Sequence, residues 1–193
     1  MRTATVQRET RETRIDCTIN LDGTGHADIQ TGIGMLDHLL TALARHSRID
    51  VSLKCEGDLH IDDHHTAEDC AIVLGTALDQ ALGDHRGVRR FGHAYAPLDE
   101  ALARCVVDLS GRPWTEVDLQ LRREQLGGLA CENVGHVLRS LAIASRTTLH
   151  VDLIRGENDH HRAEAAFKAT ALALRQAVAR DGDQVPSTKG VIG

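Results

Sequence analysis

The sequence predicts an α+β fold: an internally duplicated two-layer sandwich, each half a mostly antiparallel sheet with helices packed on one face. Three observations carry that expectation. A His-His-x-x-Glu motif occurs twice, at His64-His65-Thr66-Ala67-Glu68 and His160-His161-Arg162-Ala163-Glu164, the copies 96 positions apart (160 − 64) in a chain of 193 residues. A further histidine precedes each copy at a similar distance, His38 by 26 positions (64 − 38) and His136 by 24 (160 − 136). Finally, the order of strand-like and helix-like segments in residues 1–90 recurs in 91–193, which marks two structural repeats that together make one functional domain.

Residues 2–21 alternate polar with β-branched residues (Thr3, Thr5, Val6, Thr13, Ile15, Thr18, Ile19) and break at Asp22-Gly23-Thr24-Gly25. That pattern reads as a hairpin whose return strand covers 26–31. Leu36, Leu39, Leu40 and Leu43 recur at helical spacing over 35–45, which puts His38 on a first helix. Ile49-Asp50-Val51-Ser52-Leu53 alternates as a strand. Asp62 or Asp63 then caps a long helix from His64 to Leu82, stopped by Gly83. In the second repeat, strands are expected at 93–98, 101–109 and 114–121, followed by a helix over 131–145 that carries His136. A strand at 147–154 and a helix over 160–180, capped by Asp159, complete the order. The polar tail Pro186-Ser187-Thr188-Lys189-Gly190 is expected to be ordered only by a ligand.

Composition narrows the function. A net charge of −6 gives no bulk attraction to nucleic acid or an anionic membrane. No segment approaches the length of a membrane span, and the N-terminus lacks the apolar core of a signal peptide. Five cysteines, odd in number and without a CxxC pair, fit a reducing cytoplasm better than a disulfide framework. With only Phe91, Tyr95, Trp114 and Phe167 as aromatics, stacking on bases or sugars is not the expected mode of recognition.

The repeated motif has the chemistry of a metal site. Imidazole nitrogen and carboxylate oxygen are ligands that borderline divalent ions prefer. Positions i and i+4 share a helix face, so His64 can act with Glu68 and His160 with Glu164. Each second histidine, His65 or His161, is turned about 100° from its neighbour by the helical pitch and suits a different ion. His26, His46, His60, His85, His93 and His150 lack partners in the other half and are expected to be surface or packing residues. Phosphate handling is a second theme: Arg90, Arg112 and Lys189 stand beside glycine or proline in turn-like contexts, and Lys168 follows His160 by two helical turns. Long cations and backbone N–H groups in such turns suit an oxyanion.

Taken in order, the segments Gly34-Met35-Leu36-Asp37-His38, Asp62-Asp63-His64-His65-Thr66-Ala67-Glu68-Asp69, Arg90-Phe91-Gly92 and Pro97-Leu98-Asp99-Glu100-Ala101 resemble one family closely. So do Asp108-Leu109-Ser110-Gly111-Arg112-Pro113, His160-His161-x-x-Glu164 and Pro186-Ser187-Thr188-Lys189-Gly190. That family is imidazoleglycerol-phosphate dehydratase, of histidine biosynthesis, and the resemblance runs over essentially the whole chain.

The resemblance implies two Mn²⁺ ions per active site, one on His38, His65, His160 and Glu164, the other on His64, Glu68, His136 and His161. It implies a homo-24-mer with active sites completed between subunits. It also implies loss of water from D-erythro-1-(imidazol-4-yl)glycerol 3-phosphate, through a metal-bound imidazolate and a diazafulvene-like intermediate. Glu12 matches a substrate-contacting glutamate of the N-terminal strand and is the candidate base, with Glu68 and Glu164 as alternative proton shuttles. Arg90, Arg112, Lys168, Ser187 and Lys189 would hold the phosphate, while the histidines and glutamates of the metal sets would also contact substrate. Gly135, beside His136, departs from the family pattern and is expected to weaken its helix. The chain is expected to be monofunctional, without the phosphatase domain fused to this enzyme in some bacteria. The motifs by themselves leave open a dinuclear metallohydrolase of a small phosphoester, or a structural shell in which ions only join subunits.

Overall fold

A computed structural model describes residues 1–192. In the first half, β1 (Thr3–Glu9), β2 (Thr13–Asn20), β3 (Ala27–Gln30) and β4 (Asp50–Gly57) form a sheet of order β1-β2-β4-β3, with helices α1 (Gly34–Ser47) and α2 (His64–Leu82). The second half repeats this plan. Strands β5 (Phe91–Leu98), β6 (Ala101–Asp108), β7 (Trp114–Asp118) and β10 (Thr148–Arg155) take the order β5-β6-β10-β7, with helices α3 (Cys131–Ala144) and α4 (Asp159–Ala177). A small hairpin, β8 (Gln125–Leu126) and β9 (Leu129–Ala130), sits in the connection from β7 to α3 and has no counterpart in the first half.

The period-two patterns place one side of each sheet inward. Ile15, Cys17 and Ile19 of β2, and Ala101, Ala103, Cys105 and Val107 of β6, are buried while the residues between them face outward. α2 lies on β1 and β2, α4 lies on β5 and β6, and the halves meet where α2 packs on α3 and α1 on α4. The helical layers therefore face each other, with the sheets outside and a single apolar core spanning both halves. Small residues bring these layers together. A Cβ added to Gly75 would collide with the Leu141 carbonyl of α3, and one added to Gly92 with the Ala173 carbonyl of α4.

Some expectations are corrected in detail. The first hairpin turns at 10–12, inside the alternating run, because β1 pairs antiparallel with β2 from Thr3↔Asn20 to Glu9↔Arg14. Residues 27–30 are not the return strand of that run but pair parallel with β4, as β7 does with β10. Period-two alternation says which face a residue takes and is silent on where a polar run turns. The cap of α4 is Asn158, whose side chain accepts from the His160 N–H at 2.9 Å, instead of Asp159. Asp159 is buried and engaged elsewhere. At α2, the matching bond is accepted by Asp62 from the His64 N–H, also at 2.9 Å, and Gly83 ends the helix as expected. Despite Gly135, α3 is unbroken. All five cysteines are free thiols.

Candidate metal centre

The starts of all four helices carry the candidate ligands, and each cluster draws on both halves. His38 of α1 meets His160 and Glu164 of α4: Glu164 Oε2 lies 2.9 Å from His38 Nε2 and 3.2 Å from His160 Nε2. His136 of α3 meets His64 and Glu68 of α2, with His136 Nε2 2.9 Å from Glu68 Oε1 and His64 Nε2 3.8 Å from Glu68 Oε2. The imidazoles flank their carboxylates in each case, with ring centroids 5.5 Å apart for His38 and His160 and 5.0 Å for His64 and His136. Within each triad the donor atoms all lie within 4.8 Å of one another. Two nitrogens and one oxygen at that spacing match the donor set of a borderline divalent ion and leave further coordination positions open.

His65 and His161 are absent from both triads, and their rings stand nearly perpendicular to those of His64 and His160, at 71° and 87°. The helical pitch directs them away from the ligand next to them in sequence. Carboxylates hold both: Asp58 Oδ2 lies 3.0 Å from His65 Nδ1, and Glu100 Oε2 lies 2.7 Å from His161 Nδ1. Donating a hydrogen bond to Asp58, with the charge of Glu12 nearby, raises the pKa of His65; donating to Glu100 does the same for His161. A carboxylate on Nδ1 fixes the tautomer and presents Nε2 as the ligand atom. His64 is held in the same way by a neutral amide, with Nδ1 2.9 Å from Oδ1 of the buried Asn133.

Asp58, Glu100 and Asn133 were missed as functional residues by sequence reasoning. The signal available for Glu100 was its place in the Pro97–Ala101 segment. Asp58 and Asn133 carried none, because their roles depend on contacts across the fold.

Glu164 is less exposed than Glu68 and has a third partner: Lys168 Nζ lies 2.7 Å from its Oε1. Burial disfavours the Glu164 anion, but the bonds from Lys168 and His38 outweigh it and bring the carboxyl down to about 2. Lys168 thus sits on the carboxylate of a candidate metal triad in this chain. It takes no part in the hydrogen bonds of the other phosphate candidates. Of those, the Arg90 guanidinium pairs with Asp108 (2.7 Å) and donates to the Pro186 carbonyl (2.8 Å), which lays the start of the tail beside it. Ser187 is half-buried there, whereas Lys189 and Arg112 extend into solvent. The Arg112 turn is pinned by Ser110, whose Oγ accepts from the Arg112 N–H and donates to the Arg112 carbonyl.

Glu12 lies in the β1–β2 turn, one residue short of the expected strand. It is exposed, with its carboxylate 3.8 Å from His65 Nε2. That turn is anchored by the buried Asp69, which accepts from the Thr13 hydroxyl at 2.5 Å and forms an ion pair with Arg8.

A family model described as imidazoleglycerol-phosphate dehydratase matches residues 31–174. Imidazoleglycerol-phosphate dehydratases from Phaffia rhodozyma and Cereibacter sphaeroides are 56% and 53% identical to this chain. Both alignments cover 100% of it, and 97% and 100% of those proteins respectively. A relative of the same name from Phytophthora nicotianae is also 56% identical, but the chain spans 43% of its length. The crystal structure of the Staphylococcus aureus dehydratase superposes with a TM-score of 0.83 at 38% identity, covering 92% of this chain and 99% of that one. The Pyrococcus furiosus structure, in complex with (S)-C348, gives the same TM-score at 37% identity, covering 97% and 100%.

Proposed function

The chain belongs to the imidazoleglycerol-phosphate dehydratase family, and from that premise we propose that it converts D-erythro-1-(imidazol-4-yl)glycerol 3-phosphate to 3-(imidazol-4-yl)-2-oxopropyl phosphate and water, with two bound Mn²⁺ ions. The observation that carries this reading is the pair of His-His-Glu triads, each built from both halves of the chain. Family membership leaves the metallohydrolase reading without an observation of its own.

The ions would be held by His38, His160 and Glu164 at one position and by His64, Glu68 and His136 at the other. His65 would complete the first set and His161 the second, across contacts between copies of the chain. Bound there, the ions supply positive charge that favours loss of a proton from the substrate's imidazole. His65 and His161 support this assembly reading, since each offers an Nε2 outside its own chain's triads. A homo-24-mer is the assembly we infer for such shared sites. Among the described residues no helix is long and apolar enough to cross a membrane, and the five free thiols support a cytoplasmic setting.

The remaining roles fall to side chains that touch substrate. Arg90, Arg112, Lys168, Ser187 and Lys189 supply charge-assisted donors to the phosphate, and the 186–190 tail folds over it to exclude water. Glu12 takes the proton from the hydroxyl-bearing carbon adjacent to the one that loses hydroxide. Its carboxylate is exposed, close to His65 and carried on a turn steadied by Asp69, which supports that role. Glu68 and Glu164 are the alternative proton shuttles.

The test is an assay of metal-stripped protein with imidazole-glycerol phosphate, with and without Mn²⁺, alongside His65→Ala. Ketone product that requires Mn²⁺ and disappears in the variant is expected. No product from protein with confirmed metal loading would sink the dehydratase reading.

A further inference from the structure

The duplication makes the two triads comparable position by position, and they are not alike. Three residues before His136, α3 carries Asn133; three residues before His38, α1 carries Met35. The amide of Asn133 holds His64 by Nδ1 at 2.9 Å. Among the described residues no side chain is hydrogen-bonded to Nδ1 of His160, the residue that corresponds to His64. Four residues after Glu164, α4 carries Lys168, with its ammonium 2.7 Å from the carboxylate; four after Glu68, α2 carries Ile72, which has no charge.

Both differences act in one direction. A histidine with its far nitrogen already bonded is locked in tautomer and orientation, and losing such a partner typically weakens metal binding by about 10–100-fold. An ammonium on the only carboxylate of a site cancels the negative charge that would attract an ion and repels the ion directly.

We infer that the two metal positions are unequal: the His64–Glu68–His136 position binds a divalent cation more tightly, because Asn133 organises it and no lysine opposes the ion, while Lys168 makes the His38–His160–Glu164 position the weaker one. This rests on the metal reading of the triads and adds an order of filling to it. Lys168 is also a candidate phosphate ligand, so an anion that draws its ammonium off Glu164 strengthens the weaker position. Substrate phosphate and the second ion would then favour each other's binding.

The experiment is equilibrium dialysis of the metal-stripped full chain against Mn²⁺, with free ion counted by electron paramagnetic resonance. Wild type is expected to show two classes of one ion each per chain, and Glu68→Gln should abolish the tighter. Lys168→Gln should tighten the weaker class by roughly tenfold and leave the tighter one in place. Asn133→Ala should weaken the tighter class alone, with circular dichroism reporting whether this buried change perturbs the fold. The Lys168 variant decides the matter by itself if it does. Two indistinguishable classes, or a Lys168→Gln effect that is absent or falls on the tighter class, overturns the inference and leaves the metal reading standing. No bound Mn²⁺ at all removes both.

Discussion

Glu100 grips His161 from behind, with Oε2 2.7 Å from Nδ1, and also accepts the backbone N–H groups of Asn158 (2.8 Å) and Glu157 (3.0 Å) that lead into α4. One carboxylate therefore sets both the start of a helix and the direction of the imidazole on its first turn. Asp58 serves His65 from a different place in the chain, so two unrelated solutions meet the same need for an outward Nε2.

Glu100→Ala is expected to lower activity by about 10–100-fold, the usual effect of losing a partner behind a metal-ligating histidine. Its stability signature follows from its pKa. The Asn158 N–H, then His161, then the Glu157 N–H hold Glu100 down at about 2, below the usual carboxylate value. A depressed carboxyl contributes stability above its unfolded pKa and loses it as pH falls through the folded one. Thermal melts of wild type and variant should therefore differ at neutral pH and converge between about pH 4.5 and 2. A gap that persists at the acid end would contradict this account.

Asp69→Ala should release the turn that carries Glu12. The variant leaves the Thr13 hydroxyl without its acceptor and Arg8 without its counter-ion, a loss of about 1–3 kcal/mol. Urea denaturation measures the stability change. If Asp69 also steadies the base, kcat should fall more than stability alone explains, with metal content unchanged.

Metal uptake should release protons. Hydrogen bonds accepted by Asp58 and Glu100 raise the pKa values of His65 and His161, so in the metal-free chain both hold a proton to higher pH than an ordinary histidine. A ligand nitrogen must be deprotonated, so Mn²⁺ affinity should rise with pH until these groups have titrated. Calorimetric titration in two buffers of different ionisation enthalpy reads the protons released; equal heats in both would refute the coupling.

Gly75→Val should separate α2 from α3 and with them the His64–Glu68–His136 triad. A single Cβ at this position already collides with the Leu141 carbonyl and crowds Ala144, so overpacking of about 1–3 kcal/mol or more is expected. A thermal shift assay tests it, and an unchanged melting temperature would show that the helices can move apart freely.

Much of this protein is written in local pattern. Leucines at 36, 39, 40 and 43 spell a helix, alternation in β2 and β6 spells half-buried strands, and the spacing of His64 to Glu68 and of His160 to Glu164 places each pair on one helical face. These features depend on residues a turn or a pleat apart, so neighbours in sequence decide them. Tertiary packing decided the rest. Glu164 meets a histidine 126 positions earlier, and Glu68 one 68 positions later; family resemblance implied those partners, but the residue pattern of this chain does not. The parallel pairing of β3, the buried place of Asp159, and the supports behind His64, His65 and His161 likewise exist only once the layers close. Periodicity specifies a face, whereas a contact between distant segments is chosen by how those faces pack, and no short window of sequence contains that information.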